Sequence, residues 1–313
     1  GRVAIVTGGG GAIGTEHCVL LAREGAKVVV NDVGASAVAE GQPSNADRVV
    51  ARIRDAGGEA VADESSAATF EGARAVVEHA IDAFGRVDIL VNNATMGLNN
   101  DLWRFTEEEY DLAMSVNLTG YFAMTKHVIP HMAAQGRGAI VNTASGSGFG
   151  HPSYAAYAAA KEGVIGLTRT TAMEVGRFGI RANAIRPAAA TFQATTIYHE
   201  RTHRWRALMA ATMRPRGIRT RDDAKDPAGR APSKISPFVV WLCTDAAEHV
   251  NGRVFHVMGD HVGLYPEVDC ERIITQVGGW DLDSLDVSAP SLTATCTNDY
   301  RFADRPDLTA FEP

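Results

Sequence analysis

At 313 residues, 45% hydrophobic and 21% charged, the chain can bury a substantial core and has a globular rather than a disordered or fibrous make-up. Its formal net charge of −7 argues against a nucleic-acid partner. Four scattered cysteines without metal-ligand spacing, and no apolar run near the roughly 18 residues of a membrane span, lead us to expect a cytoplasmic protein with reduced thiols and no membrane span.

The chain opens on a strand-like run, Arg2 to Val6, with no charged leader ahead of it, and a few further residues are expected before Gly1. Short β-branched runs then alternate with longer helical patterns over about 260 residues, which predicts a doubly wound (Rossmann-type) α/β domain with a parallel seven-stranded sheet. The predicted strands are Val3–Thr7, Lys27–Asn31, Ala60–Ala62, Asp88–Val91, Ala139–Thr143, Arg181–Ile185 and Val254–Val257. Helices are predicted over Ile13–Glu24, Ala46–Ala56, Phe70–Phe84, Glu107–Ala134, Tyr154–Phe178 and Pro237–Thr244. Strands such as Ile89–Val91 are apolar throughout, as expected when helices cover both faces. Gly25, Gly57-Gly58 and Gly85 stand where helix-ending glycines are useful. The reading is one domain over 1–262, with a lid at about 188–235, and an extension over 263–313 that wraps the domain or a neighbouring subunit.

Between the first strand and first helix lies Thr7-Gly8-Gly9-Gly10-Gly11-Ala12-Ile13-Gly14. Glycines at such a junction let backbone N–H groups approach a pyrophosphate, and the helix N-terminus adds unsatisfied donors and partial positive charge. Asp32, at the end of the second strand, can accept hydrogen bonds from both hydroxyls of an adenosine ribose. It would repel a 2′-phosphate, and the glycine loop has no Arg or Lys to counter that, so the expected cofactor is NAD rather than NADP.

Asn117 lies mid-helix, where a residue of modest helix propensity points to a local distortion and a bound water leading to Lys161. Ser145 ends the fifth strand, where its hydroxyl could hold a reacting oxygen. Tyr157 and Lys161 are four residues apart on one helix face. A free phenol titrates near 10. A neighbouring ammonium, together with the charge on a nicotinamide, lowers that value and makes the phenol a usable acid/base. Ser147 and Tyr154 are nearby substitutes, but Tyr154 lies seven residues from Lys161, and Tyr157 is preferred. His199 and His203 have metal-ligand spacing, but no third ligand accompanies them, and no metal is expected.

These residues, in this order, resemble the short-chain dehydrogenase/reductase family over about Arg2 to Gly259. Asn92-Asn93-Ala94 resembles the family's Asn-Asn-Ala-Gly motif, and Ile180–Pro187 resembles the segment that meets the nicotinamide. Val30–Gly34 and Ser236–Leu242 are similar to one branch. That branch contains the (3R)-hydroxyacyl-CoA dehydrogenase unit of a multifunctional β-oxidation enzyme and bacterial relatives active on acyl-CoA or steroid substrates. The resemblance implies catalysis by Asn117, Ser145, Tyr157 and Lys161. It implies cofactor contacts from Gly8, Gly11, Ile13, Gly14, Asp32, Val33, Ser66, Asn93, Ala94, Tyr157, Lys161, Pro187 and Thr191. It also implies a homodimer or homotetramer.

Five departures stand out: Ala12 and Thr95 where the family has glycine, Ser65 where an adenine-contacting Asp is common, Ala188 after Pro187, and a Ser145-to-Tyr157 spacing of 12 residues where 13 is commoner. The expected activity is interconversion of a secondary alcohol and a ketone with NAD(H), on a bulky lipophilic substrate of acyl-CoA or steroid type. Met96, Leu98, Trp103, Phe149, His151, Tyr154, Phe192 and Ile197 are candidates to line its cleft. The arginines between Arg201 and Arg221 could hold a CoA phosphate or simply form a solvated lid. Two alternatives share the fold: a catalytically impaired NAD-binding partner subunit, and a non-redox dehydratase or epimerase.

Overall fold

Val3–Thr7 (β1) is buried along its whole length: Ala4 and Val6 face one helical layer, and Ile5 faces the other. A strand without a polar face belongs in the middle of a sheet covered on both sides, and that is where β1 sits. The computed structural model describes residues 1–34, 43–190, 202–213, 228–267, 269–296, 300, 302 and 305–309. Within them the chain runs through α1 (Ala12–Arg23), β2 (Lys27–Asn31), α2 (Asn45–Asp55), β3 (Ala60–Asp63), α3 (Phe70–Phe84) and β4 (Ile89–Asn92). It continues through α4 (Glu107–Met114), α5 (Gly120–Gln135), β5 (Gly138–Thr143), α6 (Ala155–Val175), β6 (Ile180–Pro187), α7 (Thr202–Met213), α8 (Ser236–Leu242) and β7 (Val254–Met258). The sheet order is β3-β2-β1-β4-β5-β6-β7-β8, and β1 to β7 are parallel.

One core packs α1, α2 and α8 on one face through Leu21, Ile53 and Val239. The other packs α3 and α5 through Val76, Met124 and Val128. Local chemistry sets the ends of these helices. The Thr69 side chain accepts from Gly72 N at the start of α3, and Gly85, at φ 77°, closes it in the left-handed conformation that favours glycine. Thr106 and Glu109 form a reciprocal capping box on α4.

Among the described residues the sheet has eight strands, where seven were expected. The eighth, β8 (His261–Leu264), turns back antiparallel on β7 through Gly259-Asp260, with Gly259 at φ 55°. A two-residue loop with a left-handed glycine is a hairpin turn. The strand is short and holds Gly263, so no apolar period marks it. The helix expected over Glu107–Ala134 is broken into α4, a π-helical turn at Ser115–Thr119, and α5. The cause is Asn117, fully buried, whose Nδ2 donates to Ala113 O one turn back and to Met96 O of the loop after β4. A side chain that takes a helical carbonyl displaces the regular ladder. Helix α7, within the arginine-rich stretch, was not predicted; it buries Trp205 and Met209, four residues apart.

By contacts the chain divides into Gly1–Tyr265 and Pro266–Pro313. The principal element of the second unit is α9 (Leu282–Thr293), whose Asp281 cap pairs reciprocally with Ser284. No helix among the described residues is long and apolar enough to cross a membrane.

Candidate active site

The chain lays β2 and β3 on one side of β1, then returns to place β4 on the other, so a crevice opens where the strand order reverses. Two loops meet there. The Thr7 hydroxyl accepts from Asn93 N at 3.0 Å and Ala94 N at 3.1 Å, and Asn93 Nδ2 donates to Thr7 O and Gly8 O, each at 3.2 Å. The glycine turn closes so tightly that side chains have no room. A Cβ on Gly14 would lie 2.0 Å from Gly8 O, and one on Gly8 would lie 2.8 Å from Ala94 Cα. Thr15 N is the first α1 donor to reach back to the turn, at Gly11 O. The N–H groups of Ala12, Ile13 and Gly14 precede the helical ladder, as at any helix N-terminus. Ala12 is exposed, so its methyl crowds nothing in the protein.

Asp32 Oδ2 accepts from Gly10 N and Oδ1 from Gly34 N, each at 3.0 Å. The carboxylate is thereby fixed at the crevice rim with lone pairs to spare. Val33, next in the chain, and Ser66, in the turn after β3, are exposed, and Pro187 ends β6 across the sheet. A cradle without Cβ atoms, open helix donors and an oriented carboxylate fit a dinucleotide. The Asp63 carboxylate, two residues before Ser65, takes Asn31 Nδ2, Ser65 N and His79 Nδ1, so it braces the β2–β3 edge. Thr191, Phe192, Ile197 and His199, and Arg201, Arg214, Arg216, Arg219 and Arg221, lie outside the described residues, as do the side chains of His203, Arg204 and Arg206.

Further along the same sheet edge, Tyr157 sits in the first turn of α6, half-buried, and Lys161 follows one turn later, fully buried. Ser145 leads out of β5 and caps the short turn Gly146–Phe149, accepting from Ser147 N at 3.1 Å. Its carbonyl accepts from Arg186 Nη1. Arg186 is only 5% exposed; it pairs with Glu162 at 2.7 Å and stacks over Phe149 at 4.1 Å. This clamp holds the Ser145 loop against α6.

Asn117 is fully committed. Its Oδ1 accepts from Thr95 Oγ1 at 2.8 Å and Met96 N at 3.3 Å, and its Nδ2 makes the two bonds already described. It reaches Tyr157 through Thr95, whose Oγ1 lies 3.4 Å from Tyr157 OH.

Lys161 Nζ donates to Tyr121 OH at 2.9 Å and Thr143 O at 3.0 Å, and lies 5.6 Å from the Tyr157 ring centroid. Both partners are neutral, so burial alone governs the amine and pushes it down to about 7. Burial pushes the Tyr157 phenol above its ordinary value, while the Thr95 and Ser145 hydroxyls pull it back. The acidity expected from Lys161 is therefore not present in the protein by itself.

Tyr121, Thr95 and Arg186 are site residues that sequence reasoning did not assign a role. Tyr121 lies four positions beyond Asn117, one turn along the same face, yet a tyrosine there reads equally well as core. Met96 and Phe105 pack on buried Leu98, Ala113 and Ala156 beside the tyrosine and form an apolar wall. Trp103 is half-exposed nearby.

The short chain dehydrogenase family pattern matches residues 2–202. A short-chain type dehydrogenase/reductase of Mycobacterium tuberculosis is 42% identical over 83% of this chain and 83% of its own. The peroxisomal multifunctional enzyme type 2 of Drosophila melanogaster is 47% identical over 61% of this chain, which spans only 32% of that longer protein. The crystal structure of a short chain dehydrogenase from Mycobacterium avium superposes with a TM-score of 0.78 at 35% identity, covering 94% of both chains. With the glycine crevice and the tyrosine–lysine turn on one sheet edge, these matches show that the chain belongs to the short-chain dehydrogenase/reductase family, oxidoreductases that use nicotinamide cofactors.

Proposed function

We propose that this protein interconverts a secondary alcohol and a ketone with NAD(H), using Tyr157 as the acid/base. One observation carries the reading: Tyr157 and buried Lys161 lie one helical turn apart on the sheet edge that also bears the glycine crevice. When bound, the nicotinamide would supply the hydride acceptor or donor and, oxidised, a positive charge. Ser145 holds the substrate oxygen toward the tyrosine, and Tyr157 takes the alcohol proton or returns it. Asn117 fixes the orientation of Thr95 and the loop beneath it, and the Arg186 clamp fixes Ser145. Asp32, already oriented by two backbone N–H groups, selects NAD by accepting both ribose hydroxyls.

The apolar wall of Met96, Leu98 and Phe105 supports a bulky lipophilic substrate, with hydroxyacyl-CoA thioesters and hydroxysteroids the leading classes. Exposed Tyr110, Leu112, Phe122 and Met173 on α4, α5 and α6 support a homodimer or homotetramer. Four unpaired cysteines among the described residues support a reducing, cytoplasmic compartment. The test is turnover of hydroxyacyl-CoA esters, hydroxysteroids and simple secondary alcohols, followed by NADH absorbance. NADH formation that disappears in Tyr157→Phe supports the reading. Cofactor binding without turnover of any candidate would sink it.

A further inference from the structure

Parallel strands gather their first residues at one end of the sheet, and in this chain three of those residues are arginines. Arg2 stands before β1, Arg137 before β5, and Arg181 is the second residue of β6; Asp88 stands before β4, between them in the sheet order. They meet at the opposite end of the strands from the glycine crevice. There Arg2, Arg137 and Arg181 line a cavity of about 540 Å³ together with Asp88, Asp245 and Glu248. Its glycine floor cannot be filled by side chains. Gly136 and Gly179 are left-handed, at φ 67° and 72°, and a Cβ on Gly179 would lie 2.3 Å from Gly136 O.

The acids of this cavity do not match its arginines one for one. Asp88 is spent elsewhere: it accepts from Arg86 at 2.8 and 2.6 Å and from Val3 N at 2.9 Å. Asp245 faces all three arginines. Its Oδ1 accepts from Arg2 Nη2 at 2.5 Å and Arg137 Nη2 at 3.2 Å, and Arg2 first, then Arg137 and Arg181, hold its carboxyl below the ordinary range. Two guanidinium groups thus converge on one carboxylate oxygen, as they would on an oxygen of phosphate. The Asp245 side chain is 81% exposed, and an ion pair so open to water holds weakly. Glu248, also exposed, is the remaining acid. Arg181 is anchored by the carbonyls of Leu242, Thr244 and Val250, and Arg2 by that of Cys243. Carbonyls carry no net charge, so they fix these cations without neutralising them. Among the described residues Arg137 makes its one side-chain bond to Asp245, which leaves its Nε and Nη1 for a ligand.

We propose that this cavity binds a small phosphate monoester, its phosphate held by Arg2, Arg137 and Arg181 in the place the Asp245 carboxylate now takes. With Asp245 turned out to solvent, three arginines less Glu248 leave a net charge of about +2, which a phosphate of about −1.5 to −2 at neutral pH matches. Planar guanidinium forks fit its oxygens in pairs. A cavity of this volume is in the range of small-molecule sites rather than of single-ion sites, and the bare glycine floor leaves room for the esterified group. The bound ligand joins the starts of β1, β5 and β6 to the segment after α8. This site is separate from the dinucleotide crevice and does not depend on the proposed reaction.

The test is calorimetric titration of the full chain with inorganic phosphate and with glycerol 3-phosphate, at matched ionic strength, with and without saturating NAD. Both probes should fill one saturable site per chain, and NAD should leave it unchanged. Arg137→Gln should weaken binding about tenfold through lost hydrogen bonds to a charged group. Because Arg137 is exposed, its replacement leaves the core intact. Asp245→Asn removes the competing carboxylate and should tighten binding. No saturable binding, equal affinity in Arg137→Gln, or weaker binding in Asp245→Asn overturns the inference. Binding that NAD abolishes also overturns it, since the phosphate then sits in the glycine crevice. Phosphate that binds where glycerol 3-phosphate does not overturns the assignment of an ester. All of these are read from binding alone, so a failure of the dehydrogenase reading leaves them unaffected.

Discussion

Lys161 should make the protein less stable than it need be, and the penalty can be worked out. The amine titrates at about 7 in the folded state against 10.5 in the open, and it is fully buried. A base with a lowered folded pKa binds more protons unfolded than folded between the two values. Stability therefore rises with pH across that window, and the full penalty is present below pH 7. At about 1.36 kcal/mol per pH unit, holding the lysine buried costs roughly 4 kcal/mol at pH 7 and roughly 2 kcal/mol at pH 9. Lys161→Met fills similar volume and gives up two hydrogen bonds worth about 1 kcal/mol each. The variant should thus be about 2 kcal/mol more stable than wild type at pH 7, and the two should converge by pH 9. Buried Cys243, raised to about 12, and buried His17, lowered to about 3, are present in both proteins and cancel in the difference. Urea unfolding at both pH values is the assay. For an m-value near 3 kcal/mol/M, the gap at pH 7 is about 0.7 M in midpoint. A variant less stable at pH 7, or a gap that does not close with pH, would refute the reasoning.

Two further outcomes follow from the nucleotide crevice. Gly14→Ala places a methyl carbon 2.0 Å from Gly8 O, and both atoms belong to a turn that also carries Asn93. It should lower the urea midpoint by the equivalent of about 2–3 kcal/mol and weaken NAD binding, and a wild-type midpoint would count against the packing described. Asp32→Ala removes the rim carboxylate that Gly10 N and Gly34 N orient. Calorimetry should show NAD affinity reduced about tenfold or more, with preference over NADP relaxed. An unchanged NAD-to-NADP ratio would show that Asp32 does not select the cofactor.

Much of the architecture was legible in the chain because period and punctuation agreed. The apolar cores of β1 and β2, the glycine turn and the helix-ending Gly85 each had a local reason readable without coordinates. The break at Asn117 was readable too, since an amide mid-helix competes for helical carbonyls. What escaped depended on contacts distant in sequence. Tyr121 meets Lys161 forty positions away, and nothing local distinguishes its hydroxyl from that of a core tyrosine. Arg186 reaches Ser145 from the neighbouring strand. Thr95 was visible as a departure from a glycine motif, but its bearing on Tyr157 needed the fold to bring the loop after β4 against α6. Strand β8 was missed because its only signal was the Gly259-Asp260 turn, and α7 because its buried residues Trp205 and Met209 are set among charges.

The central claim is that the Tyr157 hydroxyl is the group that moves the proton while hydride moves to NAD. The most direct measurement is a single-turnover burst of NADH from wild type and Tyr157→Phe with the best alcohol substrate, paired with calorimetric NAD binding to each. The account predicts equal binding and a burst rate at least roughly a hundredfold slower in the phenylalanine variant. A burst of wild-type rate from Tyr157→Phe would contradict it.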